Sequence, residues 1–111
     1  MQIPKPTDAD KERFRSLVPD DPRVSVKPMF GNLAAFVNGN MFMGLFGSDV
    51  GVRLPPDAAA DLLAVDGAKP FGPAERPMGG YVTLPAGYLE GDGWRPWVDR
   101  ALDHVGAMKP K

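Results

Sequence analysis

Apolar positions along this chain follow two different rhythms, and the change of rhythm marks the elements. Between Met29 and Leu54 the apolar residues occupy both parities: Ala34, Ala35, Phe36 and Val37, then Met41, Phe42, Met43, Leu45 and Phe46. A strand with one wet face alternates apolar and polar residues, and these runs do not. Asn38-Gly39 separates the two runs, and that dipeptide accepts the φ > 0 conformations of a type I′ hairpin turn. Gly47-Ser48-Asp49 then separates the second run from Val50-Gly51-Val52-Arg53-Leu54. The pattern predicts an antiparallel meander that needs cover on both faces, from helices, from another part of the chain or from a partner chain. Strict strand alternation puts Met41 and Met43 on one face and Phe42 on the other.

The flanking segments are shorter and sharply punctuated. Arg23-Val24-Ser25-Val26-Lys27 alternates cleanly, which predicts a first strand with Val24 and Val26 facing in and Pro28 bending or fraying it. Before it, Thr7 to Val18 predicts a helix. Thr7 and Asp10 form a capping pair, Phe14, Leu17 and Val18 share one face, and Pro19 and Pro22 end the helix. Pro55-Pro56-Asp57 opens a short second helix docked by Leu62, Leu63 and Ala59, with Gly67 closing it. Lys69 to Met78 reads as a Pro-rich connection with a short edge strand around Phe71. Tyr81 to Leu84 reads as a further strand, and Ala86 to Gly93 as a loop. Trp94, Trp97, Val98, Ala101, Leu102, Val105 and Met108 then form one stripe at helical spacing, with Asp92 as the cap and Pro96 in the first turn.

Composition narrows the class without naming a function. At 111 residues the chain is one domain's worth, with no internal repeat or domain boundary, and 43% apolar residues are enough for a single core. Without cysteine there is no disulfide framework or thiolate metal site. No run has the length of a membrane span, and MQIPKPTDADKE has no signal-peptide core. The expectation is a cytoplasmic protein that does not contact membrane. Net charge is −1, evenly distributed, so the basic surplus of a stand-alone nucleic-acid binder is missing.

Candidate chemistry is sparse. His104 is the single histidine, placed on the flank of the last helix near its negative end, and it supplies neither a metal cluster nor a catalytic relay. No serine or threonine sits in a nucleophile elbow. The glycines of Gly44-Leu45-Phe46-Gly47 and Gly79-Gly80 lack phosphate-loop spacing and read as turn and close-packing glycines. No catalytic residue, metal ligand or cofactor is assigned. Arg53 and Arg76 are the candidate ligand-binding pair, an anion clamp if they converge and structural ion-pair members if they do not. Trp94, Tyr81 and Phe30 are candidates to line a pocket beside them. Phe36, Met41, Met43 and Phe46 are the candidate interaction surface, because flexible thioethers suit adaptable binding faces as well as cores.

Several ordered motifs carry a family resemblance. They are Met29-Phe30-Gly31, Val37-Asn38-Gly39-Asn40, Arg76-Pro77-Met78-Gly79-Gly80 and Trp97-Val98-Asp99-Arg100-Ala101-Leu102 with a Pro-Lys end. Together they resemble the TfoX N-terminal domain family over nearly the whole chain from Lys27 onward. The resemblance implies an α+β fold, a curved antiparallel sheet flanked by helices, and a link to TfoX/Sxy-type regulators of DNA-uptake competence. It implies no catalytic or ligand residues. The expectation is one α+β domain. Its sheet comprises a meander over about residues 24–54 and a strand near 81–84, packed with an N-terminal, a short middle and a long C-terminal helix. Its role is expected to be non-enzymatic, regulatory and protein-binding, with a homodimer as one form and a small-ligand (anion) module as the alternative.

Overall fold

The computed structural model describes residues 3–111. Helix α1 (Asp8–Leu17) begins at the capping box expected from the sequence. The Thr7 hydroxyl accepts from the Asp10 N–H at 3.1 Å, and the Asp10 carboxylate accepts from the Thr7 N–H at 2.9 Å. Donation from the Thr7 backbone N–H foremost, then the Thr7 hydroxyl and the nearby Arg13 guanidinium, holds the Asp10 carboxyl below its usual range. In the turn that follows, the Arg23 guanidinium and then its backbone N–H hold Asp21 down to about 2.

Six strands form one antiparallel sheet: β1 (Val24–Met29), β2 (Asn32–Val37), β3 (Asn40–Phe46), β4 (Asp49–Arg53), β5 (Lys69–Pro70) and β6 (Tyr81–Thr83). Their order across the sheet is β1-β2-β3-β4-β6-β5. The Asn38-Gly39 turn has φ of 52° and 85°, both positive as a type I′ turn demands. Phe30-Gly31 makes a second turn of the same kind, with φ of 52° and 81°. Here the structure departs from the sequence reading, because β1 runs on through Pro28 instead of fraying there. Pro28 is tolerated because β1 is an edge. The Arg23 carbonyl accepts from Asn38 N–H, so Val24, Val26 and Pro28 turn their backbone groups to the open side.

Helices cover one face of the sheet. α4 (Arg95–Gly106) crosses β2, β3 and β4, α2 (Pro56–Leu63) lies against β6, and α1 against β2. Register puts Ala35, Met43, Val52 and Val82 in one row under α4, which brings down Val98, Ala101, Leu102 and Val105. The two tryptophans are only partly buried. α4 has no side-chain cap, and Asp92 instead offers its backbone carbonyl to Arg95 N–H. α2 docks through Ala58 and Leu62, not Leu63, which is 43% exposed. Ala86–Glu90 forms a one-turn helix, α3, where a loop was expected. Pro85 stops β6 and presets the φ of the turn that follows, so the same residue ends one element and begins the next. Val26, beyond the reach of the helices, stays 36% exposed despite its inward parity.

Both depressed carboxyls make stability depend on acid. A group with a lowered native pKa stabilises above its unfolded value, about 3.9 for Asp, and stops doing so as pH falls through its native value. Asp21→Asn is therefore expected to be destabilising at pH 7, with its deficit shrinking as pH falls from about 4 towards 2. Thr7→Ala is expected to cost about 1 kcal/mol at pH 7. Urea denaturation across that range checks both, and an Asp21→Asn deficit that stays constant with pH counts against the assignment.

Candidate functional site

The face of the sheet away from the helices is just as apolar and is covered differently. Ala34, Gly44 and Gly51 lie side by side across β2, β3 and β4 and form a floor almost without side chains. The ring of Phe71 rests on it, so close that a methyl group at Gly51 would overlap the ring. Phe46 meets Phe71 edge-on at 6.1 Å, and Tyr81 lies 6.1 Å away on another side. The Tyr81 hydroxyl donates to the Met41 carbonyl at 3.1 Å. Burial pushes the Tyr81 phenol up, against the opposing pull of the Arg53 guanidinium. Phe71 thus pins the segment after β5 over the sheet, an anchor worth roughly 1.5–3 kcal/mol for a buried side chain of its size.

That segment does not cover the whole face. Between it, the N-terminal segment and the Phe30-Gly31 turn lies a cavity of about 370 Å³. Met29, Met41, Phe46, Phe71 and Met78 supply most of its wall, with Ile3 and Phe30 at the rim. Asn32 is the one polar side chain in the lining, and both ends of its amide are engaged. Its Nδ2 donates to the Pro4 carbonyl at 3.1 Å and its Oδ1 accepts from Gly47 N–H at 2.9 Å. The cavity therefore offers no free hydrogen-bonding side chain. Phe30 is 80% exposed, the most exposed large apolar side chain among the described residues.

The structure separates the residues singled out as an interaction surface. Phe36, Met41 and Phe46 lie on this second face, and Met41 and Phe46 line the cavity. Met43 does not. It is 0% exposed, under α4 on the helix face. A β-bulge is the cause: Ala35 pairs with Met43 and Phe36 with Met41, leaving Phe42 as the extra residue. The bulge reverses parity, so Met41 and Met43 point to opposite faces and Phe42 joins Met43 in the core. Strict alternation cannot foresee that.

Arg53 and Arg76 do not share the cavity, since neither lines it. Arg53 stands at the end of β4 beside Gly80 and Tyr81. Arg76 is exposed on the segment between Pro73 and Met78. Of the three aromatics proposed to line a pocket, Phe30 does so. Tyr81 stands behind Phe71, and Trp94 lies across the molecule under the Arg95 guanidinium at 4.9 Å. His104 borders a polar hollow with Asp57, Asp61, Arg100 and Asp103. A third hollow holds Asp10, Arg13, Asp49 and Lys69, whose charges pair within it: Arg13 with Asp10 at 3.8 Å and Lys69 with Asp49 at 3.1 Å. No group of three or more His, Asp or Glu among the described residues is arranged to hold a metal ion.

A family model described as the TfoX N-terminal domain matches residues 12–105, from the second turn of α1 to the last turn of α4. The chain belongs to the TfoX N-terminal domain family. No curated protein matches it. The motifs that carried the resemblance now have places in this family member. Met29-Phe30-Gly31 forms the β1–β2 turn at the cavity rim, Arg76-Pro77-Met78 the segment over the second face, and Val37-Asn38-Gly39-Asn40 the far turn. Trp97 to Leu102 lies in α4. Among the described residues no helix is long and apolar enough to cross a membrane.

The missed signal was Gly51. The sequence marks turn and close-packing glycines near Gly44, but nothing in its spacing pairs them with Phe71, whose seat Gly44 and Gly51 provide. Gly51→Ala is expected to destabilise by roughly 1–3 kcal/mol through overpacking. Because one contact is at stake, Gly51→Ala and Phe71→Ala together should cost less than the sum of their separate effects. Equilibrium denaturation of the two single variants and the double variant decides it, and strict additivity refutes the contact.

Proposed function

We propose that this member of the TfoX N-terminal domain family is a non-catalytic, regulatory interaction domain. It docks a protein partner on the second face of the sheet, where a partner's apolar side chain enters the cavity and packs against Phe30. Competence regulation in the cytoplasm is the setting that family membership suggests for it. One observation carries the reading. Phe30 holds a left-handed backbone conformation that costs a non-glycine residue roughly 1–2 kcal/mol, and it does so to point an aromatic ring at water. The fold solves the equivalent problem at the far turn with Asn38, a residue at ease there. Strain that stability does not call for, beside an apolar cavity, is the mark of a binding position.

Two measurements on one residue test this. Phe30→Asn is expected to leave stability unchanged or raise it by up to about 1 kcal/mol, since it relieves strain. A photo-crosslinking phenylalanine analogue at position 30 is expected to trap a discrete protein partner in cells. The same analogue at Leu63, the exposed apolar residue of α2, is expected to trap none. Equal trapping at both positions, or a marked loss of stability in Phe30→Asn, rejects the proposal.

A further inference from the structure

We infer that the docked segment is acidic, with its apolar anchor flanked by carboxylates; this rests on the interaction reading above and adds the chemistry of the partner. The walls of the cavity carry no charge, but the segments that form them do. Lys5 follows Ile3 by two residues and is exposed. Lys27 precedes Met29 by two and shares its face of β1, with its ammonium 5.6 Å from the centre of the Phe36 ring. Arg76 is exposed between the lining residues Pro73 and Met78. Arg53 stands behind them, beside Gly80. None of these four cations has a carboxylate within salt-bridge distance among the described residues, a state they share with Lys11, Arg15, Arg95, Arg100, Lys109 and Lys111 and not with Arg13, Arg23 and Lys69. Glu75 is the one acidic residue on the same segments besides Asp49 of β4, whose carboxylate is held by Lys69.

The acid lies elsewhere. Asp57, Asp61, Asp99 and Asp103 are exposed on α2 and α4, across the sheet. On α2 and α4 these four carboxylates outnumber the exposed Arg95 and Arg100, whereas around the apolar hollow four cations stand against Glu75 alone. The even distribution of charge along the sequence hides that contrast. A second copy docked face to face would bring the two cationic rims together, and like charges at a contact are repelled. Duplex DNA would find too few cations for its phosphates and nothing for the cavity to hold. A peptide with a buried anchor and acidic flanks satisfies both features, the anchor supplying apolar burial and the flanks steering and register.

The test uses the whole chain with labelled methionine methyls and short synthetic peptides, each with one phenylalanine flanked by glutamates or by lysines. The glutamate peptide is expected to shift Met29, Met41 and Met78, to leave Met43 and Met108 unmoved, and to bind more weakly as salt rises from about 50 to about 300 mM. The lysine peptide and a glutamate peptide with alanine as anchor are each expected to bind at least about tenfold more weakly. Lys27→Glu with Arg76→Glu is expected to reverse the preference between glutamate and lysine flanks, with the fold intact. Equal binding of both flanks overturns the inference, as does no methionine shift with any peptide. Concentration-dependent self-shifts, or shifts with duplex DNA instead of the glutamate peptide, also overturn it. Crosslinking at position 30 reports on the docking reading independently of these peptides.

Discussion

The constraint on which the rest of the molecule depends is that β2 and β3 are apolar on both faces, so neither face can be left to water. Two solutions coexist across one sheet. Under α4, branched and long side chains interdigitate in the ordinary manner of a helix on a sheet, with Met43, Val50 and Val52 fully buried. On the other side the sheet is stripped to glycine so that a single ring can lie flat against the backbone. A floor without side chains can be covered by one residue. It cannot be covered completely by one residue, and the cavity is what Phe71 leaves uncovered.

Much of this was legible in the sequence, and what was not has physical reasons. The doubled apolar parity predicted two covered faces because alternation is a property of strand geometry. The stripe of α4 and the Asn38-Gly39 turn are equally local. The parity of Met41 and Met43 was misjudged because a bulge depends on the partner strand, and no single-strand pattern records it. Gly51 and Phe71 are twenty positions apart, and their contact exists only once the segment after β5 folds back. Phe30-Gly31 does not read as a turn because phenylalanine does not advertise φ > 0 as asparagine does. Arg53 and Arg76 were paired by residue type alone, and the backbone does not bring them to one cavity.

On the helix side the departures from local preference are small: an exposed Leu63, a backbone cap at Asp92 and the single turn of α3. Local preference and global structure agree along α1, α4 and the far turn, and they part company around the cavity: at Phe30, at the bulge and at the glycine floor. A sequence under selection for stability alone would bring the levels into agreement there too. The strained turn and the ring seated on bare backbone fall on one side of the sheet, and that points to a demand other than folding on that side.

The edges of the sheet strengthen that argument by elimination. An exposed strand edge is the cheapest place for one chain to join another, through backbone hydrogen bonds that need no particular side chains. Here both edges are closed to it. On β1 the Val24 N–H is already given to the Asp21 carbonyl, Pro28 has none, and Val26 is left as the single donor between them. On the other side β5 is only two residues long, and Pro70 is one of them. Association by strand addition is thereby discouraged at either end, whereas the face carrying Phe30 and the cavity has no such guard. Recognition on that face must work through side chains, which makes it selective for the shape and charge of what arrives.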